Sequence, residues 1–416
     1  MTTADVIVLG AGMVGVSAAV HLRKRGRDVV LVDRRGSGEE TSFGNTGVVE
    51  REGFVPVAFP RDLKALAQYA LNRSPAANYH LTHLPRVASW LLALRANTDD
   101  AGIERYAAAN DLLCRHAVAE HRALAAEAGY DAERYFRRNG WLRVYRSDAG
   151  FAEDAVLHRL ADRYGAAYKV LTRPELSDLE PHLLDVVKHA VLWPETDTVS
   201  WPGGVVKAYA ALFERNGGRF AIGDARSLTR GGRGWEVATE GGAVSAPDVV
   251  VALGPWSLDL LKPLGLDVPL APKRGYHMHF SAKGNATLNR PVVDVDMGCV
   301  LTPMEAGIRL TTGIEFAARD APPTPRQIEQ LKPIARTLFP LAEARDPAPW
   351  VGSRPAFPDS LPIIGPAPGL PGLWLDFGHG HLGFTQGPIS GRLLAERITG
   401  APTLVDLKPF RAERFA

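Results

Sequence analysis

Apolar residues recur along this chain in three rhythms. The first is the unbroken run, as in Val6-Ile7-Val8-Leu9, Val29-Val30-Leu31-Val32 and Val249-Val250-Val251-Ala252. Runs without a polar position predict short strands buried on both faces, the habit of a parallel sheet covered on each side. The second is the three- and four-residue step of a helix, from Ser17 to Leu22, through much of 61 to 130, and from Gly203 to Asn216. Two more helices run to about Leu338, after the Pro-rich residues 321 to 326, and to about Ile398. The third is alternation. Tyr135 to Arg146 alternates around Asn139-Gly140, a turn dipeptide that predicts a hairpin. Tyr276 to Phe280, Val300 to Pro303 and Ile308 to Thr312 alternate too, predicting an antiparallel sheet that would wall a pocket. The fold class is therefore α/β. A parallel sheet is assembled from the separated segments 1–60, 200–257 and 350–416. A second domain, 61–199 and 258–349, carries the antiparallel sheet and flanking helices. A chain of 416 residues is too long for one core, in keeping with two domains.

The glycines sharpen this picture. Gly10, Gly12 and Gly15 follow the first strand directly, in GxGxxG spacing. In a dinucleotide site the first glycine makes the tight turn, the second admits a pyrophosphate to the backbone, and the third lets helix and sheet pack closely. The helix that follows offers its positive end to phosphate. Asp33 closes the second run 18 positions after Gly15, where such a fold places an acid on a ribose hydroxyl. Arg34 and Arg35 beside it suit either a 2′-phosphate or solvent, and the acid favours solvent. The loop Glu39 to Val49, EETSFGNTGVV, reads equally as a cofactor wrap and as a solvent loop. Near the C-terminus, Gly378, Gly380 and Gly383 mark a second strand-to-helix turn. Two anion-attracting helix ends suit a flavin dinucleotide, whose ring becomes anionic on reduction, better than a nicotinamide.

Composition narrows the classes further. The 48 basic and 46 acidic residues leave a formal charge of +2, which gives no bulk attraction to nucleic acid. No run of 18 apolar residues and no cleavable leader is present, so a cytoplasmic location is expected. Residues Leu84 to Arg95 are unusually apolar with arginines near the ends, which fits a buried helix or one resting peripherally on the inner membrane. Cys114 and Cys299 are too few and too far apart for a disulfide framework or metal cluster.

In order along the chain, GAGMVG, ETSFGNTG, VVVALGPWS, KRGYHMHF, GSRPAFPDSLPIIG and GHGHLGFT resemble the FAD-dependent amine oxidoreductases. That group includes D-amino-acid oxidase, glycine oxidase, sarcosine oxidase and bacterial D-amino-acid dehydrogenase. The likeness is strongest to the D-amino-acid dehydrogenase branch and, in TPMEAGIRLTTGIEFA and RPAFPDSLPIIG, to the glyphosate oxidoreductase type. The resemblance implies a Rossmann-like FAD-binding domain beside a substrate domain. It places the ADP half of FAD on Gly10, Gly12, Gly15 and Asp33, with Arg34 beside it. Thr41, Ser42, Asn45 and Gly47 would follow the cofactor toward its ring, and Gly254, Gly380, Leu382, Gly383 and Thr385 would line the ribityl and flavin end. Arg354 matches the arginine that grips the substrate carboxylate. A planar two-pronged cation suits that task. The alternative is a structural arginine paired with Asp359 or a carbonyl.

Departures from the family pattern bear on the substrate. The lysine that binds carboxylate in sarcosine oxidases is replaced by His381 and Leu382, and the flavin-linking cysteine has no counterpart, which implies non-covalent FAD. Val300 stands near the position of a substrate-contacting tyrosine in glycine oxidase. Glu50-Arg51-Glu52 also depart: facing the pocket they would favour a cationic substrate, and facing water they are a solvated charge cluster. The implied reaction is hydride transfer from the Cα–H of a small D-amino acid to flavin N5, giving a 2-oxo acid and ammonia, with a quinone or oxygen as acceptor. Tyr276, His279 and His381 are pocket candidates beside Arg354, or plain wall residues. The rival readings are an oxygen-using oxidase of glycine or secondary amines, and a flavoprotein subunit that needs partner chains.

Overall fold

The computed structural model describes residues 2–57, 68–69, 71–72, 74–232 and 234–415. The unbroken apolar runs form one six-stranded sheet. Its order is Arg219–Ile222, Val29–Asp33, Val6–Leu9, Asp248–Val251, Leu373–Phe377 and Ile363–Pro366. All neighbours are parallel except the last pair. Alternate residues of each run serve different cores. Val6, Val8, Val29 and Leu31 pack against the helices Met13–Lys24, Pro202–Arg215 and Gly383–Ile398. Ile7, Leu9, Val30 and Val32 pack with Trp235 and Val237, which belong to a small four-stranded sheet on the opposite face. Covering on both faces is why no polar position interrupts these strands.

From the central strand Val6–Leu9 the chain winds to one side and returns on the other as Asp248–Val251. That reversal opens a crevice at the carboxyl ends of the strands, the usual ligand position in such sheets. The helices Met13–Lys24 and Gly383–Ile398 lie tightly side by side: a Cβ on Gly391 would come within 2.5 Å of the Ala18 nitrogen. Each helix follows a strand of the same sheet, so both positive ends meet the crevice at one edge.

The second sheet is larger, with eleven strands, and the long strand Ala271–Ala282 is its spine. Residues 271–277 pair with Trp350–Ala356, and residues 277–280 pair with Gly307–Thr311. The expected antiparallel wall is thus present, although Val292–Asp294 joins Trp141–Tyr145 in parallel. The expected hairpin at Asn139-Gly140 is not. Phe136–Arg137 pairs with Val199 and Thr198 in a separate three-stranded sheet, while Trp141–Tyr145 pairs with His189–Trp193 in the large one. Gly140 does take the left-handed backbone (φ 69°), but the Asn139 amide donates to the Asn289 carbonyl at 2.9 Å. The turn is a corner between two sheets, and a tertiary partner has replaced the local one.

The apolar stretch around Leu84 forms the helix Leu84–Asn97, which buries Val87, Trp90 and Leu94 and leaves Leu92 69% exposed. It is a surface helix packed on one face, neither fully buried nor long enough to span a bilayer. Among the described residues no helix is long and apolar enough to cross a membrane. Part of the helical stretch expected over 61 to 130 lies outside the described residues. Both cysteines are buried and free.

Candidate active site

A cavity of about 1300 Å³ runs from the crevice of the parallel sheet to the face of the large sheet. Its first half is built from the glycine turn. Gly10 has φ +105°, and a Cβ there would lie 2.5 Å from the Ala252 carbonyl, so the turn requires glycine. Gly12 begins the helix Met13–Lys24 with no side-chain cap and no acid in the first turn. A Cβ on Gly12 would meet only the Ser42 hydroxyl, at 3.3 Å, so the cradle is open on the cavity side. Ser42 Oγ accepts the Met13 N–H at 3.0 Å, which ties the loop to the helix start. Asp33 accepts from Ala11 N–H at 2.7 Å and Arg35 N–H at 2.9 Å. Burial raises its pKa, the two N–H donors pull it back, and its remaining lone pairs are available to hydroxyl donors.

Arg34 lines the same end, paired with Glu40 at 2.8 Å and stacked on Trp256 at 4.4 Å. The loop after Asp33 wraps the cavity, with Thr41, Ser42 and Asn45 in its wall. Thr41 Oγ1 donates to the Ser353 carbonyl at 3.0 Å, and Gly47 supports the loop through its N–H to Asn45 Oδ1 at 2.8 Å. Gly254, Gly380 and Gly383 line the far side. Leu382 is the uncapped start of the second helix, and Thr385 is buried behind it, accepting the Glu50 N–H at 3.2 Å. Two helix ends without an N-cap side chain of their own, one tied by Ser42, and a glycine cradle open to the cavity fit an elongated dinucleotide such as FAD.

The other half of the cavity carries unbalanced charge. Arg354, on Trp350–Ala356, lies over Gly275, where a Cβ would come within 2.5 Å of its guanidinium. Nη1 and Nη2 donate to the carbonyls of Gly313 at 2.9 Å and Thr312 at 3.4 Å. No carboxylate of the described residues pairs with it. Asp359, the acid nearest in sequence, is bound instead to Arg414 at 2.7 Å. Burial pushes the pKa of Arg354 down to about 10. Lys273 stands directly opposite Arg354 in the strand register and also lines the cavity. Burial and then the charge of Arg354 bring its pKa down to about 7. His381 is exposed to the same space; the cavity walls around it and then these two cations lower its pKa to about 3, so the ring is neutral.

A separate part of the wall is acidic, which corrects the reading of Glu50-Arg51-Glu52 as a solvated cluster. Glu50 and Glu52 line the cavity, and Glu52 accepts from Thr196 Oγ1 at 2.7 Å and from the Trp141 indole. Burial, and then the neighbouring Glu52, push Glu50 up to about 8. Only Arg51 turns away, to Asp111 at 3.0 Å.

Of the other pocket candidates, Tyr276 touches the cavity, but its hydroxyl donates to Glu315 at 2.8 Å and accepts the Thr324 N–H at 2.8 Å. It braces the sheet. His279 does not reach the cavity: its Nδ1 donates to Asp346 at 2.8 Å, while Nε2 accepts from Arg309 Nε at 3.0 Å. Lys273 was not singled out from the sequence, although the period of two in Lys273-Arg274-Gly275 puts adjacent cations on opposite faces. Arg274 goes to Glu315 and Lys273 to the cavity.

The model of the FAD dependent oxidoreductase family matches residues 5–397. A D-amino-acid oxidase of Bradyrhizobium diazoefficiens is 30% identical over 99% of this chain and 98% of its own. A D-amino acid dehydrogenase of Paramagnetospirillum magneticum is 31% identical over the same shares. Among solved structures, glycine oxidase from Geobacillus kaustophilus superposes with a TM-score of 0.76 over 100% of both chains at 21% identity, a likeness of fold.

Proposed function

Because the chain belongs to the FAD dependent oxidoreductase family, we propose that it oxidises the Cα–N bond of a D-amino acid to a 2-oxo acid and ammonia. FAD is held without a covalent link, and electrons pass to a quinone or similar carrier. The observation that carries this reading is the Arg354 guanidinium, which faces the cavity and has carbonyls but, among the described residues, no acid for partners. The D configuration is supported by the relatives, which are similar along nearly their full length.

Each group of the chain has a definite task on this reading. Gly10, Gly12, Gly15, Asp33, Ser42 and the two helix ends hold the dinucleotide. When bound, FAD supplies a two-electron acceptor for the hydride leaving Cα. Arg354 binds the substrate carboxylate with the donors left over from Gly313 and Thr312, which fixes the direction of the Cα–H bond. Such orientation removes a large part of the barrier. His381, neutral beside Arg354, can hydrogen-bond the amine or a water without adding charge. Glu50, protonated at neutral pH, adds no negative charge that would compete for the ammonium form of the substrate.

The test is anaerobic bleaching of the flavin spectrum across D-, L- and N-alkyl amino acids. Bleaching by D-amino acids, with little peroxide under air and rapid dye reduction without it, supports the proposal. Bleaching only by N-alkyl glycines, with stoichiometric peroxide, would replace it by an oxidase of secondary amines.

A further inference from the structure

Six lysine and arginine side chains line the cavity among the described residues. Four are neutralised by acids: Arg34 by Glu40 at 2.8 Å, Arg143 by Asp154 at 2.5 Å, Arg226 by Asp224 at 2.7 Å and Arg319 by Asp259 at 3.0 Å. Arg354 has its two carbonyls. Lys273 has no hydrogen bond or ion pair within the described residues. It is only 5% exposed, and its ammonium rests over the Trp90 ring at 4.8 Å. The next residue shows how this fold treats a buried cation that is purely structural. Arg274 has Nε 3.1 Å from Glu315 and Nη1 2.8 Å from the Ala321 carbonyl.

A buried cation costs free energy unless something pairs with it, and two side by side cost more. Lys273 and Arg354 face each other across paired strands and repel, and no acid of the described residues offsets either. One substrate carboxylate balances one of them. Glu50 and Glu52 sit on a different part of the wall, beside Trp141 and Arg143, where the one cation is already paired with Asp154 at 2.9 Å. Among the described residues, the wall suited to more negative charge is the one with Lys273.

We propose that Lys273 reads a second acid group on the substrate, so that the preferred substrates are amino acids bearing an additional carboxylate or phosphonate. This rests on the assignment of Arg354 to the first carboxylate. The cation–π contact with Trp90 holds the ammonium in place without using its N–H donors, which leaves all three for the ligand.

The test pairs isosteres on the FAD-loaded enzyme: D-glutamate against D-glutamine and D-aspartate against D-asparagine for kcat/KM, and succinate against butyrate for Kd from the flavin absorbance. A charge-assisted contact is worth about 10- to 100-fold, so the wild type should favour each dianion by that factor. Lys273→Met should bring the ratios close to unity, Lys273→Arg should keep part of the preference, and flavin content should report whether each variant is folded. Equal losses for dianion and monoanion in Lys273→Met, or no dianion preference in the wild type, would overturn the proposal. So would a variant whose flavin spectrum shifts while the preference stays, which would assign Lys273 to the cofactor. If succinate binding depends on Lys273 while no D-amino acid bleaches the flavin, the oxidation proposal fails and the second-anion site stands.

Discussion

Replacing Arg354 by methionine separates binding from folding in one protein. Burial lowers the Arg354 pKa from 12.5 to about 10, so below pH 10 the folded chain carries a charged group that it holds at a cost of roughly 3 kcal/mol. Removing the guanidinium relieves that cost and the repulsion from Lys273. It also leaves the Gly313 and Thr312 carbonyls without their donor, at about 1–3 kcal/mol. The two effects oppose each other and are similar in size, so Tm should change by only a few degrees. Substrate binding has no such compensation. Truncating one partner of a desolvated charge pair costs about 2–5 kcal/mol, which corresponds to a rise in KM of roughly 30-fold to 1,000-fold or more. Steady-state kinetics with a dye acceptor, thermal melts and flavin content together make the measurement. A KM within twofold of wild type, with flavin content preserved, would show that the guanidinium does not hold the carboxylate. A large fall in Tm would show that it is chiefly a structural brace.

Asp33→Ala should weaken FAD binding by about 10- to 100-fold, read as Kd for reconstitution of the apoprotein, because a charge-assisted bond to a ribose hydroxyl is lost. Acid precipitation should release all the flavin into the supernatant; yellow colour left in the pellet would overturn the non-covalent assignment. Glu50 has a folded pKa near 8, above its usual 4.5, so the native state holds more protons than the unfolded chain between those values and stability falls as pH rises through them. Glu50→Gln should flatten that fall, seen as a smaller loss of Tm between pH 5 and pH 9; an unchanged pH profile would place the titration elsewhere.

Much of the nucleotide half was legible because its requirements are local. A four-residue apolar strand, glycines at fixed offsets and an acid ending the next strand lie within 33 residues, and each has one geometric task. Arg354 was found by resemblance; of the two partners a structural role would give it, Asp359 is taken by Arg414, while the Gly313 and Thr312 carbonyls do accept from it. The rest depended on contacts that no local pattern contains. Asn139-Gly140 signals a turn in either setting, and only the Asn289 carbonyl, 150 residues away, makes it a corner. Glu50 and Glu52 look like surface charge by composition, yet Trp141 and Thr196 hold Glu52 inside, and Glu50 lines the cavity beside it. His279 looked like a pocket histidine until Asp346 and Arg309 claimed both ring nitrogens. Lys273 could have been found from strand alternation alone, since one of two adjacent cations must face the opposite side from its neighbour.

The tight seam between the first helix and the last also sets the timing of maturation. The glycine at position 10 precedes by several hundred residues the helix Gly383–Ile398 that packs on the helix following it. At about 5–20 residues per second the ribosome needs roughly 20 to 75 s to cover that interval. For the first part of it the nascent amino-terminal segment lacks the neighbouring strand at 248–251, and for all of it the carboxyl-terminal helix. A chain truncated ahead of residue 383 should therefore emerge colourless however well its earlier segments fold.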